Sequence, residues 1–156
     1  MDAWRDLARE LFQNHPTWDV GDPETTVWWL LFDLKSWVVP AHEAGDRDLL
    51  HKIYRFAEWC HSQKATDPDV WMAAYMAFYE HLVEDPVTYA AIPEWLTPAV
   101  FEDVLPQYED RLDNREKYPF EQPGSFADLL RMYDSARGTS FLDRIQEWKS
   151  PGPNTA

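Results

Sequence analysis

The sequence predicts an all-α protein: one compact domain of about six helices around a buried central helix near residues 68–83. Three observations lead there. Helix-start signals stand at nearly every break in the chain. No segment sustains the apolar–polar alternation of a strand, and no Asn-Gly or Asp-Gly hairpin turn occurs. The ten residues Val70–Tyr79 carry no charge, while Asp67, Asp69, Glu80, His81, Glu84 and Asp85 crowd their ends.

The start signals have a common chemistry. Asp22-Pro23, Asp67-Pro68, Asp85-Pro86 and Thr97-Pro98 each place a side-chain oxygen before a proline. The oxygen can accept from an orphan N–H of the first turn, and proline at the first helical position needs no partner. Ser125-x-x-Asp128 and Ser140-x-x-Asp143 are capping-box variants. Helices are therefore expected over 2–13, 23–39, 46–63, 68–83, 98–117 with a bend at Pro106, and 126–148 split near Gly138. A short turn is expected at 86–92, ahead of Pro93.

In the helix from Asp46, the residues Leu49, Ile53, Phe56 and Cys60 fall on one stripe, widened by Leu50 and Ala57. The helix from Pro68 has no polar face, so its neighbours should wrap it. Its small Ala73, Ala74 and Ala77 would admit them closely. Residues 1–149 then make one domain and 150–156, rich in proline, a flexible tail. Stacked helix hairpins are one arrangement these connections allow.

A chain of 156 residues with 45% hydrophobic residues and 9 Trp, 7 Tyr and 8 Phe can bury a core without a metal or disulfide staple. Its single cysteine can form no internal disulfide. The N-terminus has no basic start or apolar run of a signal peptide, and no apolar run has membrane-spanning length. The expectation is a cytoplasmic protein, monomeric or weakly dimeric. Its net charge of −14 repels nucleic acid and anionic lipid and favours a basic protein partner.

Candidate chemistry is thin. Glu58 and His61 share a helix face in the Glu-x-x-His spacing of di-iron bundles, but Asp48-x-x-His51 lies on the same helix and cannot oppose them. Cys60 and His61 diverge by about 100° on a helix, so they are no nucleophile–base pair. His81 suits the C-terminal end of a helix dipole. The five glycines are scattered at 21, 45, 124, 138 and 152, without a phosphate-binding loop. With no catalytic motif either, the expectation is a non-enzyme without cofactor or metal.

Charge placement is the strongest remaining signal. Over the 46 residues from Ala65 to Asp110 there is no lysine or arginine, against ten acids. Like charges held together cost stability, so a compensating partner is expected. The face assigned to it comprises Glu94, Glu102, Asp103, Glu109 and Asp110, with Trp95 and Phe101 as aromatic anchors.

The segments Phe56-Ala-Glu-Trp-Cys60, AFYEHL (77–82) and IPEWLTPAVFEDV (92–104) resemble a loosely defined group of uncharacterised small acidic bacterial proteins. The resemblance implies an all-helical cytoplasmic protein, in a group with some members encoded near toxin or defence genes. It transfers no functional residue. The functional expectation is an acidic binding module that occludes a basic partner, such as an immunity protein against a nuclease toxin. The alternative is an adaptor or structural subunit docking another protein through an aromatic helical surface.

Overall fold

The structure, a computed structural model, describes residues 2–13 and 19–150. Its first helix, α1 (Ala3–Phe12), turns Trp4, Ala8, Leu11 and Phe12 inward. The loop after it is tied back by Arg5, whose guanidinium donates to the carbonyls of Val20 (2.9 Å), Asp22 (3.0 Å) and Thr25 (2.7 Å). That clamp places Pro23 in a turn. Helix α2 (Val27–Ala44) starts four residues later than the sequence suggests, with Thr26 as its cap accepting from the Trp29 N–H. It runs through Pro40 and ends at Gly45, whose φ of 64° only glycine adopts freely.

Helix α3 (Arg47–His61) keeps the predicted stripe, with Ile53, Phe56, Ala57 and Cys60 completely buried. The central segment begins as predicted, with Asp67 accepting from the Val70 N–H and Pro68 in the first turn. It is not one regular helix. Helix α4 covers only Pro68–Ala73, followed by a π-helical turn over Ala74–Phe78 and a 3-10 turn over Tyr79–Val83. Such irregular turns leave carbonyls without their α-helical donors. Side chains supply donors here: the Tyr108 hydroxyl donates to Tyr79 O (2.8 Å) and Thr88 Oγ1 to Leu82 O (2.6 Å).

The turn expected at 86–92 is a helix, α5 (Pro86–Trp95), capped by Asp85 on the Val87 N–H. Pro93 falls in its last turn. The carbonyls there are taken up by Arg137, which donates to Pro93 O (2.6 Å), Glu94 O (3.0 Å) and Leu96 O (3.2 Å). Helix α6 (Pro98–Asp113) is unbroken at Pro106 and shorter than expected. Helix α7 (Phe126–Arg137) begins with a complete Ser125–Asp128 capping box and stops at Gly138, φ 66°. Helix α8 (Phe141–Lys149) is capped by Asp134 rather than Ser140: its carboxylate accepts from the N–H groups of Phe141 (2.8 Å) and Leu142 (3.0 Å).

The described residues thus form eight α-helices and no strand, two helices more than the sequence reading. The central segment packs on α2, α3, α5 and α6, and α7 packs on α5, α6 and α8. Of the expected tail, everything beyond Ser150 lies outside the described residues. No helix among the described residues is long and apolar enough to cross a membrane.

Candidate protein-binding face

The central segment is covered on one side only. Ala73, Ala74, Ala77 and Phe78 are completely buried, as the small-residue pattern suggests. Its other side is equally apolar and only partly covered: Trp71 packs under Lys64 and against Tyr75, Met72 is half-buried and Met76 is 41% exposed. The expectation that neighbours wrap this helix fails on that side. Helix α2 lies alongside and adds Trp29 (66% exposed) and Phe32 (47% exposed). A large aromatic or thioether side chain left in water forfeits about 1.5–3 kcal/mol of burial free energy. Trp29, Phe32 and Met76 therefore leave exposed apolar surface on two adjoining elements. A surface depression beside Trp28, Trp29 and Phe32 opens from the same region.

Both ends of this face are fixed. At one, the Trp28 indole N–H donates to Asp69 Oδ1 (3.2 Å). At the other, the Phe32 ring meets His81, centroids 6.0 Å apart. His81 belongs to a largely buried ionic cluster. Arg111 donates from Nη2 to Glu80 Oε1 (2.7 Å) and from Nη1 to Glu84 Oε1. His81 Nδ1 lies 2.8 Å from Glu84 Oε1 and its Nε2 lies 3.6 Å from Glu80 Oε1. Lys35 of α2 reaches Glu84 Oε2 at 3.6 Å. Burial tends to raise the Glu84 carboxyl, but the bond from His81 and the charges of His81, Arg111 and Lys35 outweigh it and hold it below its ordinary value. The Arg111 guanidinium also lies over Tyr118, 4.8 Å from the ring centroid.

The cluster works as an anchor. Both carboxylates are bound by the same guanidinium. It pins α2, the 3-10 turn and α6 together beneath the apolar face. Sequence reasoning missed it because Glu80 and Arg111 lie 31 residues apart. A signal was present nonetheless. Arg111 continues the stripe Val104, Tyr108, Leu112 on the buried side of α6, and a cation there requires an anion opposite it.

Of the acids singled out in the sequence, Glu102, Asp103, Glu109 and Asp110 lie on α6 and Glu94 on α5. Each meets a cation from outside the cation-free span. Glu94 pairs with Arg47 (2.7 Å). Glu102 pairs with Arg144 and Glu109 with Lys149, both on α8. Asp103 faces His61 (2.8 Å) and Lys64 (3.9 Å) after α3. Asp110 accepts from Lys117 Nζ (2.7 Å) and the Tyr118 hydroxyl (2.8 Å), bonds that hold its carboxyl below the usual range. Each of these five acids thus has a cationic neighbour within the chain. Phe101 is completely buried, stacked on Tyr133 with centroids 3.7 Å apart, so it is a core residue and cannot anchor a contact. Trp95 is half-buried, stacked on Tyr54 (4.8 Å) under Arg47 (5.3 Å).

The other sequence candidates resolve structurally. Cys60 is completely buried, and burial pushes its thiol well above the ordinary range. His61 is engaged by Asp103, while Glu58 is exposed. His51 packs against Trp95, centroids 4.8 Å apart. Among the described residues, no group of three or more His, Cys, Asp or Glu is arranged to hold a metal ion.

The class defined by these features is an all-helical domain with an apolar face braced by a buried ionic cluster. Residues 2–114 match a family described as a domain of unknown function, DUF7674, and the chain belongs to that family. The match covers α1 to α6, including the face and the cluster. Comparison with curated proteins and with solved structures gave no match.

Proposed function

We propose that the protein is a binding module, not an enzyme, and that it docks a partner protein on the apolar face of α2 and the central segment. The observation that carries this reading is the exposure of Trp29, Phe32 and Met76 on two adjoining elements. Aromatic and methionine side chains on such a face serve as hot spots when a partner desolvates them. The acids Asp22, Glu24 and Asp33 flank these aromatics in sequence, and the net charge of −14 draws a partner with basic residues around its apolar contact. This is the adaptor reading of the sequence joined to its basic-partner reading. The narrower version, an immunity protein whose acids at 94–110 occlude a basic nuclease, rests on net charge alone, because those five acids are engaged within the chain.

The test is site-specific photo-crosslinking in the native host, with the crosslinker at position 29 or 32 and, as control, at 102 or 103. The partner captured is then purified and titrated by calorimetry. Adducts from 29 and 32 alone are expected, with the Trp29→Ala/Phe32→Ala variant weakening binding at least thirty-fold, the equivalent of about 2 kcal/mol. Adducts confined to 102 and 103, with affinity lost in Glu102→Lys/Asp103→Lys instead, would restore the acidic-face reading. No adduct at any of the four positions would overturn both.

A further inference from the structure

A second site lies on the far portion of the chain, between α6 and α8. The start of α8 is anchored in the core, where Phe141 meets Phe101 and Tyr133 with centroids 5.3 and 5.7 Å apart. Further along, two ion pairs tie α8 to α6: Arg144 with Glu102, and Lys149 with Glu109. Between the ion pairs the apolar side chains of the two helices leave a cavity of about 200 Å³, partly open to solvent. Leu105, Pro106, Phe126, Phe141, Ile145 and Trp148 line it. Trp148 is 77% exposed and only Phe141 of α8 is buried, so the outer half of this helix is seated by charge rather than by packing.

Protein interiors are close-packed, and voids larger than a water molecule are few. A cavity of about 150 Å³ with an aliphatic and aromatic lining stays dry and accepts benzene. The space between α6 and α8 has a similar aliphatic and aromatic lining but is partly open, with room for one mono- or bicyclic ring system and not for a helix. Its rim fixes the charge of the guest. Two cations and two carboxylates stand there already paired, so the rim carries no net charge with which to attract an anionic group.

We propose that the α6–α8 cavity is a binding site for a small aromatic molecule without negative charge. Part of its wall lies on α6, inside the family segment, and the rest on residues 126–149, beyond it. The site is separate from the apolar face on α2 and does not depend on the proposed docking there.

Indole is a suitable probe. The full chain, labelled at isoleucine and leucine methyls and tryptophan indole N–H groups, is titrated by NMR up to the solubility of indole. Saturable shifts are expected at Ile145, Leu105 and Trp148, with intermolecular Overhauser contacts from the indole ring. Indole-3-carboxylate should bind at least tenfold more weakly. The Ile145→Trp variant, which fills the cavity, should lose the saturable shifts while keeping its circular dichroism. Leu105→Phe provides the same test from the α6 side should Ile145→Trp unfold. Absence of saturation at the lining residues, or filled variants that titrate as the unaltered chain does, would overturn the site. Tighter binding of the carboxylate would overturn the stated class of ligand.

Discussion

Replacing Arg111 by methionine tests the anchor directly. Arg111 and Glu80 are both buried, and the guanidinium holds Glu80 at 2.7 Å and also binds Glu84. Methionine keeps an unbranched stem but removes the charge and the guanidinium that lies over Tyr118. Glu84 would retain His81 and Lys35, whereas Glu80 would be left with His81 alone, at 3.6 Å. Removing one partner of a buried ion pair costs about 3–5 kcal/mol, because the remaining charge is desolvated and uncompensated. For a domain of this length that is a fall of roughly 6–20 °C in Tm, a large part of typical stability. The Arg111 Nε is buried without a hydrogen-bond partner, which adds to the desolvation the pair must overcome. The double variant Glu80→Gln/Arg111→Met should therefore recover at least half of the loss. Urea unfolding followed by circular dichroism and tryptophan fluorescence gives both free energies and the m-value. An Arg111→Met cost under about 1 kcal/mol at unchanged m, or a double variant as unstable as the two single losses summed, would refute the anchor.

Two further outcomes follow from the same geometry. Cys60 should react with a thiol reagent far more slowly in the native protein than in urea, since burial both shields the sulfur and disfavours the thiolate; equal rates would contradict its place in the core. Glu84 has a folded pKa below its ordinary 4.5, so its stabilisation is fully present above 4.5 and is lost as pH falls through the lower folded value. Glu84→Gln should accordingly show a shallower loss of stability between neutral pH and about 3.5 than the unaltered chain, and parallel profiles would contradict the assignment.

Local chemistry was legible in the sequence wherever it acts over a few residues. The caps at Asp67, Asp85, Thr97 and Ser125 and the glycine stop at 138 are where the sequence reading puts them. The same reading failed where a distant group overrides a local signal. Arg5 holds Pro23 in a turn and Arg137 supports the end of α5 despite Pro93, each from many residues away. The ion pairs of the candidate acids were hidden for the same reason. Arg47 and Glu94 are separated by 47 residues, and Arg144 and Glu102 by 42, so a window free of cations hides the pairs that the fold makes with most of its acids. The run Val27–Phe32 is apolar on every side of its helix, and no pattern within it reveals that Trp29 and Phe32 face outward.

Arg137 and the stacked ring of Tyr133 have a consequence for where this protein may be cut. The family segment stops at residue 114, yet Tyr133 supplies the ring that lies on Phe101, its hydroxyl holds Leu96 O at 2.8 Å, and Arg137 gathers three carbonyls at the end of α5. Lys117, Arg144 and Lys149, which neutralise Asp110, Glu102 and Glu109, also lie past that boundary. A fragment ended at 114 would bare an aromatic core ring, unbind the last turn of α5 and leave three acids of one helix without their counter-charges. In this chain the matched segment is shorter than the packed core, and an expression fragment drawn to the family limits would sever that core.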